Sequence, residues 1–361
     1  MRALALAAAL ALPGAAQTAR HAPKELSDAV AKERYSQALR VFSAAKDPGG
    51  EEEYLAGFSL LRLHRPVEAA PHLRRAGERG FAGWPGWLTA EAMLDQTKAL
   101  ARLAPPPYPA SAPAVSVFAG PATAWSAPVL EAVPRFEAVG RRIFGEGLPR
   151  LSFYVFAARP AYDRFFKTMF LGSEPTAWQE GTGDVNVVVF CEQDRRGKVT
   201  REVGHPDTVR VVLHEFGHAW LRSYLMGRYD LVWRKPGGWS PWLDEGLADY
   251  VAAMDEPAFL ERRKAWVKDL KAGKGPRPPT FDELSSEDGF FARGDIEAHY
   301  WLAALLVADL LGPEGAAKIP KLLDEIARTR DAEEAVHAVT GQHPREAYGR
   351  LLSRTWPVPA R

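Results

Sequence analysis

The chain has 361 residues, of which 47% are hydrophobic and 25% are charged, and its formal net charge is +1. This length allows two domains with cores of their own, and the hydrophobic content excludes a mainly disordered chain. A net charge near zero gives no strong field to attract nucleic acid or an acidic membrane surface, so no nucleic-acid partner is expected. Cys191 is the only cysteine, which excludes an intrachain disulfide and a thiolate metal cluster. Any metal would have to be held by His and carboxylate ligands.

The first 19 residues, MRALALAAALALPGAAQTA, have the layout of a secretory signal peptide. One basic residue precedes an apolar core from Ala3 to Leu12, and a Pro-Gly break and small residues follow. We therefore expect cleavage after Ala16 or Ala19 and an exported protein, either periplasmic or secreted. A frayed alanine-rich helix is the alternative for this segment. No other stretch reaches the ~18 uninterrupted apolar residues of a membrane span, so none is predicted in the mature chain.

Residues 20–104 are predicted to be a helical segment with an internal repeat. Small and apolar residues recur after 31 positions: Ala38, Phe42 and Ala45, then Ala69, Leu73 and Ala76. The stretch YLAGFSLLRLHRPVEAAPHLRRA resembles the tetratricopeptide repeat, with Gly57 where that family lets its first helix pack closely against its second. The resemblance implies that residues 25–103 contact a protein partner or shape a groove. Generic helical hairpins with small residues at their crossings are the alternative.

Residues 105–112 lie in the stretch APPPYPASAP and form a predicted linker, because so many prolines disfavour both helix and sheet. A second domain is then predicted over residues 113–361. Its first part contains three strand candidates, listed here by number: 115–118, 150–157 and 184–191. Helices are predicted from residue 207 onward, and mixed strands followed by a run of helices indicate an α+β fold.

The stretch VVLHEFGHAWL, residues 211–221, places His214 and His218 four positions apart in a largely apolar helix that Asp207 can cap. At 100° per residue the two imidazoles lie about 40° apart on one face and can reach one ion about 2 Å away. Glu215 is rotated by one residue from His214, where a base for a metal-held water must stand. An ordinary buried helix is the alternative, but each uncompensated polar side chain would cost it roughly 2 to 7 kcal/mol.

A second helix is predicted in SPWLDEGLADYVAAM, residues 240–254, because Ser240 and Pro241 form a favourable helix start. Glu245 and Asp249 follow with i, i+4 spacing on one face. Two carboxylates on one side of a helix rich in Ala and Leu would need a cation if they were buried. A zinc ion would supply that charge.

The pair HEFGH and WLDEGLADY resembles the gluzincin metallopeptidases, the clan of thermolysin-like proteases and related aminopeptidases, and is most similar to the peptidase-MA-like branch. The resemblance implies a thermolysin-like zincin domain, with a small mixed sheet and helices. It also implies that His214, His218 and Glu245 bind one zinc ion per chain. By position, Glu215 would be the general base and Asp249 the carboxylate that orients a ligand histidine.

The same clan takes a hydrogen-bond donor for the reaction's oxyanion from a later helix. In DIEAHYWLAALLVADLLG, residues 295–312, Tyr300 falls where the peptidase-MA-like branch tends to carry a tyrosine, and His299 is its neighbour. A core or surface tyrosine is the alternative reading of Tyr300. We interpret His205, before the first of these helices, as a polar loop residue.

These patterns together predict a zinc-dependent peptidase acting on a peptide or protein substrate. A metal-activated water would attack the peptide bond, and Glu215 would take its proton and pass it to the leaving amine. Neither a nucleophile elbow nor a phosphate-binding glycine loop occurs, and the exopeptidase pattern GxMEN is not found upstream of residue 211. Two alternatives stay open: a catalytically degenerate zinc-binding relative that holds another protein through its repeats, and a structural helical protein that binds no metal.

Overall fold

The computed structural model describes residues 22–175, 181–194, 198–199, 207–231, 240–271, 277–291 and 296–355. The predicted signal peptide, residues 1–19, and His205 lie outside these ranges. Helices predominate and one small mixed sheet accompanies them, so the fold is α+β, as predicted. None of the helices in these ranges has the length and apolar character needed to cross a membrane.

The strands are β1 (Pro107–Tyr108), β2 (Val115–Ala119), β3 (Leu151–Phe156), β4 (Gly181–Asp184) and β5 (Val187–Cys191). The helices before the first strand are α1 (Lys24–Ala31), α2 (Tyr35–Ser43), α3 (Gly50–Arg62), α4 (Pro66–Glu78) and α5 (Ala90–Leu103). The helices from β2 to α9 are α6 (Ser126–Phe144), α7 (Arg159–Met169), α8 (Asp207–Tyr229) and α9 (Pro241–Asp255). The remaining helices are α10 (Ala258–Lys271), α11 (Phe281–Ser285), α12 (Glu287–Phe290), α13 (Ile296–Leu311), α14 (Gly315–Thr329), α15 (Ala332–Thr340) and α16 (Pro344–Thr355).

The described residues form two compact units. The first contains those up to Ala104 together with Pro160–Pro175, and the second contains Pro105–Arg159 and those that follow Pro175. The division after Ala104 coincides with the start of the proline-rich stretch. The return of Pro160–Pro175 to the first unit is a long-range feature that no local pattern in the sequence indicates.

Helices α3 and α4 form a tightly packed hairpin in the first unit. Gly57 on α3 lies against Leu73 on α4, and a Cβ added at Gly57 would come within 2.7 Å of the Leu73 side chain. The buried Glu53 carboxylate accepts a hydrogen bond of 2.8 Å from Arg75 Nε and lies 2.7 Å from His72 Nδ1. Close packing at Gly57 and the buried ion pair therefore join these two helices.

The sheet in the second unit has the strand order β1-β2-β3-β5-β4. Its central strands β2, β3 and β5 are parallel, whereas β1 and β4 pair antiparallel at the two edges. All five residues of β5 are buried, as expected for a parallel strand that is covered on both faces. The strands predicted at 115–118 and 150–157 are present as β2 and β3.

Two predictions about local structure are wrong. The stretch 184–191 is not a single strand, because the chain turns at Val185 and Asn186, with Asn186 at φ 60°, and a hairpin joins β4 to β5. Asn tolerates this left-handed conformation better than most residues. The proline-rich stretch is not free of sheet either, since Pro107–Tyr108 pairs with β2. An edge strand accommodates proline because one row of its backbone groups needs no ladder partner.

Helices α8 and α9 form the centre of the second unit. Helix α8 begins at Asp207, as predicted, and packs against β4 and α9, while α9 also packs against α13. A Cβ added at Gly246 of α9 would come within 2.7 Å of the Ala303 carbonyl oxygen on α13. Glycine at this position thus permits the close helix packing that holds α9 in place.

Candidate metal centre

Three predicted ligand atoms converge between α8 and α9. The Nε2 atoms of His214 and His218 are 3.1 Å apart, and Glu245 Oε2 lies 3.2 Å from the first and 3.1 Å from the second. All three side chains are buried. The spacing has a simple origin, because the histidines stand one turn apart on α8 and Glu245 faces them from α9.

The other ring nitrogen of each histidine contacts an aspartate on α9. His214 Nδ1 is 2.8 Å from Asp249 Oδ1, and His218 Nδ1 is 2.9 Å from Asp244 Oδ1. A carboxylate can only accept a hydrogen bond, so Nδ1 carries the proton in each ring. In a neutral imidazole the Nε2 lone pair is then directed at the other ligand atoms. Carboxylate partners of this kind commonly fix metal-binding histidines.

Each of these aspartates is also paired with an arginine of α8. Arg210 Nη1 donates to Asp249 Oδ1 at 2.9 Å, and Arg222 Nη2 donates to Asp244 Oδ2 at 2.8 Å. Sequence reasoning missed both arginines and Asp244. A signal was available, because Arg210 and Arg222 stand four residues before His214 and four residues after His218, on the same helical face.

The electrostatics of the site favour positive charge at the ligand atoms. Burial alone would lower the pKa of His214, but Asp249 and Glu245 outweigh it and raise that pKa to about 10. Burial opposes ionisation of Glu245 as well, yet His218 and His214 lower the pKa of its carboxyl group. The cause is the same in both cases, because carboxylates stabilise positive charge on the neighbouring rings.

The donor set and its spacing fit a zinc ion. Two nitrogens and one carboxylate oxygen are ligands that zinc accepts, and tetrahedral ligands at 2.0 to 2.1 Å would lie about 3.3 to 3.4 Å apart. The observed separations of 3.1 to 3.2 Å come close to this value. Without a metal, the excess of carboxylates is offset by protons on the histidines, as the raised pKa of His214 indicates. A divalent cation would displace those protons and neutralise the carboxylates in their place.

Glu215 lies on α8 beside the ligand group and faces strand β4. Its Oε2 accepts a hydrogen bond of 2.6 Å from the backbone N–H of Gly183, and the side chain is half-buried. A Cβ added at Gly183 would collide with the Glu215 carbonyl oxygen, so only glycine allows β4 to approach α8 this closely. The carbonyl oxygen of Gly183 accepts a hydrogen bond from Arg222 Nη1.

Tyr300 and His299 are adjacent on α13 but have different surroundings. The ring centroid of Tyr300 is 6.1 Å from that of His214. Burial, reinforced by Glu245 and Glu215, raises the pKa of Tyr300 well above its usual value, so the phenol keeps its proton and can donate. His299 instead donates through Nδ1 to the Phe290 carbonyl oxygen at 2.6 Å. Of these two residues, Tyr300 is the one whose ring lies beside a ligand side chain.

Comparison of the sequence with models of known protein families finds no matching family, and comparison with curated proteins finds no matching relative.

Proposed function

We propose that this protein is a zinc-dependent peptidase that hydrolyses peptide bonds. The observation that carries the proposal is the convergence of His214 Nε2, His218 Nε2 and Glu245 Oε2 within 3.2 Å of one another. With unprotonated rings this arrangement would bring lone pairs together in a buried space. A bound cation would relieve that repulsion in place of the protons that the raised pKa of His214 indicates. In keeping with its resemblance to the gluzincin metallopeptidases, the protein would have a thermolysin-like catalytic domain and would be exported.

His214, His218 and Glu245 would hold the metal, and Asp249 and Asp244 would keep the two imidazole rings in orientation. Bound zinc would supply a Lewis acid that polarises a carbonyl group and acidifies water. Three protein ligands are the usual number in catalytic zinc sites, whereas structural sites generally use four. Three such ligands converge among the residues that the structure describes, and this number supports a catalytic role over a structural one.

The remaining chemistry would be carried out by two side chains next to the ligands. Glu215 would accept a proton from the attacking water and later deliver it to the leaving amine nitrogen. Tyr300, held in its protonated form, would donate a hydrogen bond to the carbonyl oxygen of the scissile peptide bond as negative charge develops there. No covalent intermediate with the protein is required.

The first experiment measures zinc content and peptide hydrolysis together. Purified protein should contain about one zinc per chain, and prolonged dialysis against a chelator should remove zinc and turnover of an internally quenched peptide library in parallel. The Glu215→Gln variant should keep its zinc but lose at least ~10²-fold in rate, because it cannot accept a proton.

The Glu137→Gln variant is a matched control. Glu137 is a buried carboxylate of the same unit that accepts hydrogen bonds from Ala114 N and Arg141. Its replacement should affect stability but not the rate per folded molecule. Normal turnover by Glu215→Gln would refute the assigned mechanism. One zinc per chain without turnover in the native protein would support the degenerate relative, and a protein that takes up no zinc would contradict both.

A further inference from the structure

Both backbone polar groups of Gly183, a residue of the edge strand β4, are bonded to side chains of α8. The N–H of Gly183 donates to Glu215 Oε2 at 2.6 Å, and the carbonyl oxygen of Gly183 accepts from Arg222 Nη1. Both groups of a strand residue point toward the same neighbour, and Glu215 and Arg222 stand two helical turns apart on one face. Helix α8 thus closes the edge of the sheet at Gly183, next to the proposed base.

The other terminal nitrogen of the Arg222 guanidinium bonds to Asp244, which contacts a ligand histidine. Arg222 Nη2 donates to Asp244 Oδ2 at 2.8 Å, and Asp244 Oδ1 is 2.9 Å from His218 Nδ1. The side chains of Arg222 and Asp244 are 6% and 2% exposed. Because both are buried, bulk water is not available to replace either contact. Arg222 is therefore bonded at once to the strand that contacts Glu215 and to the carboxylate that contacts His218.

We propose that Arg222 is a positioning residue, whose two guanidinium arms fix β4 and Asp244 in one frame and so hold Glu215 and His218 in a constant relation. Its catalytic consequence rests on the proposed peptidase function. The bridge itself, from Gly183 through Arg222 to Asp244, does not depend on that function. Arginine suits this role because its planar fork presents separate N–H groups to two acceptors, whereas the single ammonium of lysine cannot span both.

The test compares four variants with the native chain. Arg222→Met leaves Asp244 as a buried carboxylate without its guanidinium, and this uncompensated charge would destabilise the fold. The double variant Arg222→Met/Asp244→Asn removes both charges and keeps an acceptor for His218, so it separates lost positioning from lost folding. Arg222→Lys keeps the charge without the fork. Arg228→Met, at a largely exposed arginine of the same helix, is the matched control.

The first measurement is hydrogen exchange at the Gly183 amide, followed by NMR, which requires no activity. In the double variant and in Arg222→Lys, this amide should exchange at least ~10-fold faster than in the native chain. The first variant has no donor for the Gly183 carbonyl, and the second cannot hold that carbonyl and Asp244 at once, so β4 is held less firmly against α8 in both. The control should match the native chain. Native exchange at Gly183 in a folded double variant would overturn the proposal.

The second measurement links the bridge to the metal site. Loss of zinc to a chelator should be ~10-fold faster in Arg222→Lys, which leaves Asp244 unchanged, and kcat should fall ~10- to 100-fold while KM changes by less than about threefold, as expected for a support residue outside the ligand shell. Unchanged zinc loss and unchanged kcat would overturn the positioning role. If the native chain neither binds zinc nor hydrolyses peptides, the proposed function fails, and exchange at Gly183 still decides whether the bridge exists.

Discussion

Each of the two ligand histidines contacts an aspartate of α9, and that aspartate is paired with an arginine of α8. His214 contacts Asp249, which is paired with Arg210, and His218 contacts Asp244, which is paired with Arg222. Each arginine balances the aspartate that it touches. Among the described residues, Glu245 and Glu215 have no such arginine partner, and their charge would match a divalent ion once the histidines have lost their protons.

Replacing a ligand should remove the metal without unfolding the chain. We expect His214→Ala, His218→Ala and Glu245→Ala each to lower zinc occupancy by about 10-fold or more, because two ligands seldom retain zinc against competing water. Zinc content after equilibrium dialysis provides the measurement. His343→Ala, at an exposed histidine near the start of α16, should retain native occupancy. Full zinc in all three ligand variants would refute the assignment.

Asp249 should strengthen metal binding without being a ligand itself. In Asp249→Asn, the amide oxygen still accepts from His214, but the charge that pairs with Arg210 is lost. Metal affinity should therefore fall 10- to 100-fold and not vanish. Competition with a chromophoric chelator measures this affinity. Asp255→Asn, which removes the ion pair with Arg135 at the end of the same helix, is the control. Native affinity in Asp249→Asn would exclude an orienting role.

At the scale of elements, the site depends on three helices that approach one another closely. Gly217 of α8 faces Ala248 of α9, and Gly246 of α9 faces Ala303 of α13. A side chain at either glycine would increase the distance between two helices. Because the ligands lie on α8 and α9 and Tyr300 lies on α13, small helix displacements would be transmitted directly to the site.

A pair of glycine variants tests this close packing. In Gly246→Ala the new Cβ would lie 2.7 Å from the Ala303 carbonyl oxygen, which should cost about 1 to 3 kcal/mol of unfolding free energy and weaken zinc binding. In Gly227→Ala on α8 the new Cβ meets nothing within 4 Å, so a gain of roughly 0.5 to 1 kcal/mol is expected from helix propensity. Denaturant unfolding measures both. Equal effects of the two substitutions would contradict the packing argument.

At the scale of the whole molecule, every candidate site residue belongs to the second compact unit. The first unit contains the repeat-like helices and also Pro160–Pro175, where Gln96 Nε2 donates to the Thr168 carbonyl at 2.8 Å. The first unit therefore consists of two separate stretches of the sequence. A shortened chain that begins at Pro105 would keep Pro160–Pro175 but lose the rest of the unit to which that segment belongs.

Two shortened chains separate the contributions of the units. A chain that begins at Pro105 should be less stable, because the buried side chains Tyr162 and Phe165 lose the unit in which they fold. If residues 160–175 in that chain are replaced by a short Gly-Ser linker, the stability should be regained, because these exposed side chains are then absent. Zinc binding and Glu215-dependent hydrolysis should persist, with a changed substrate range if the repeat-like helices contact substrates. Thermal unfolding, zinc content and peptide profiling measure these effects. An unchanged substrate range would exclude a selective role for residues 25–103.

Local spacing accounts for what the sequence could predict. The i, i+4 relation between His214 and His218, and between Glu245 and Asp249, follows from helical geometry alone once the helix starts at Asp207 and Pro241 are recognised. The mixed α+β class follows equally from the order of strand and helix patterns along the chain. These features depend on residues that are close together in the sequence, so periodicity and capping signals are enough to predict them.

Only the tertiary structure decided which of these helical faces meet. The partnership of His218 with Asp244, the bridge from Arg222 to Gly183 and the return of Pro160–Pro175 to the first unit join residues that are 26 or more positions apart. The contact of β4 with α8 at Gly183 is likewise a feature of the tertiary structure. Such contacts arise from packing between elements, and helical or strand periodicity specifies the face of an element without specifying its neighbour.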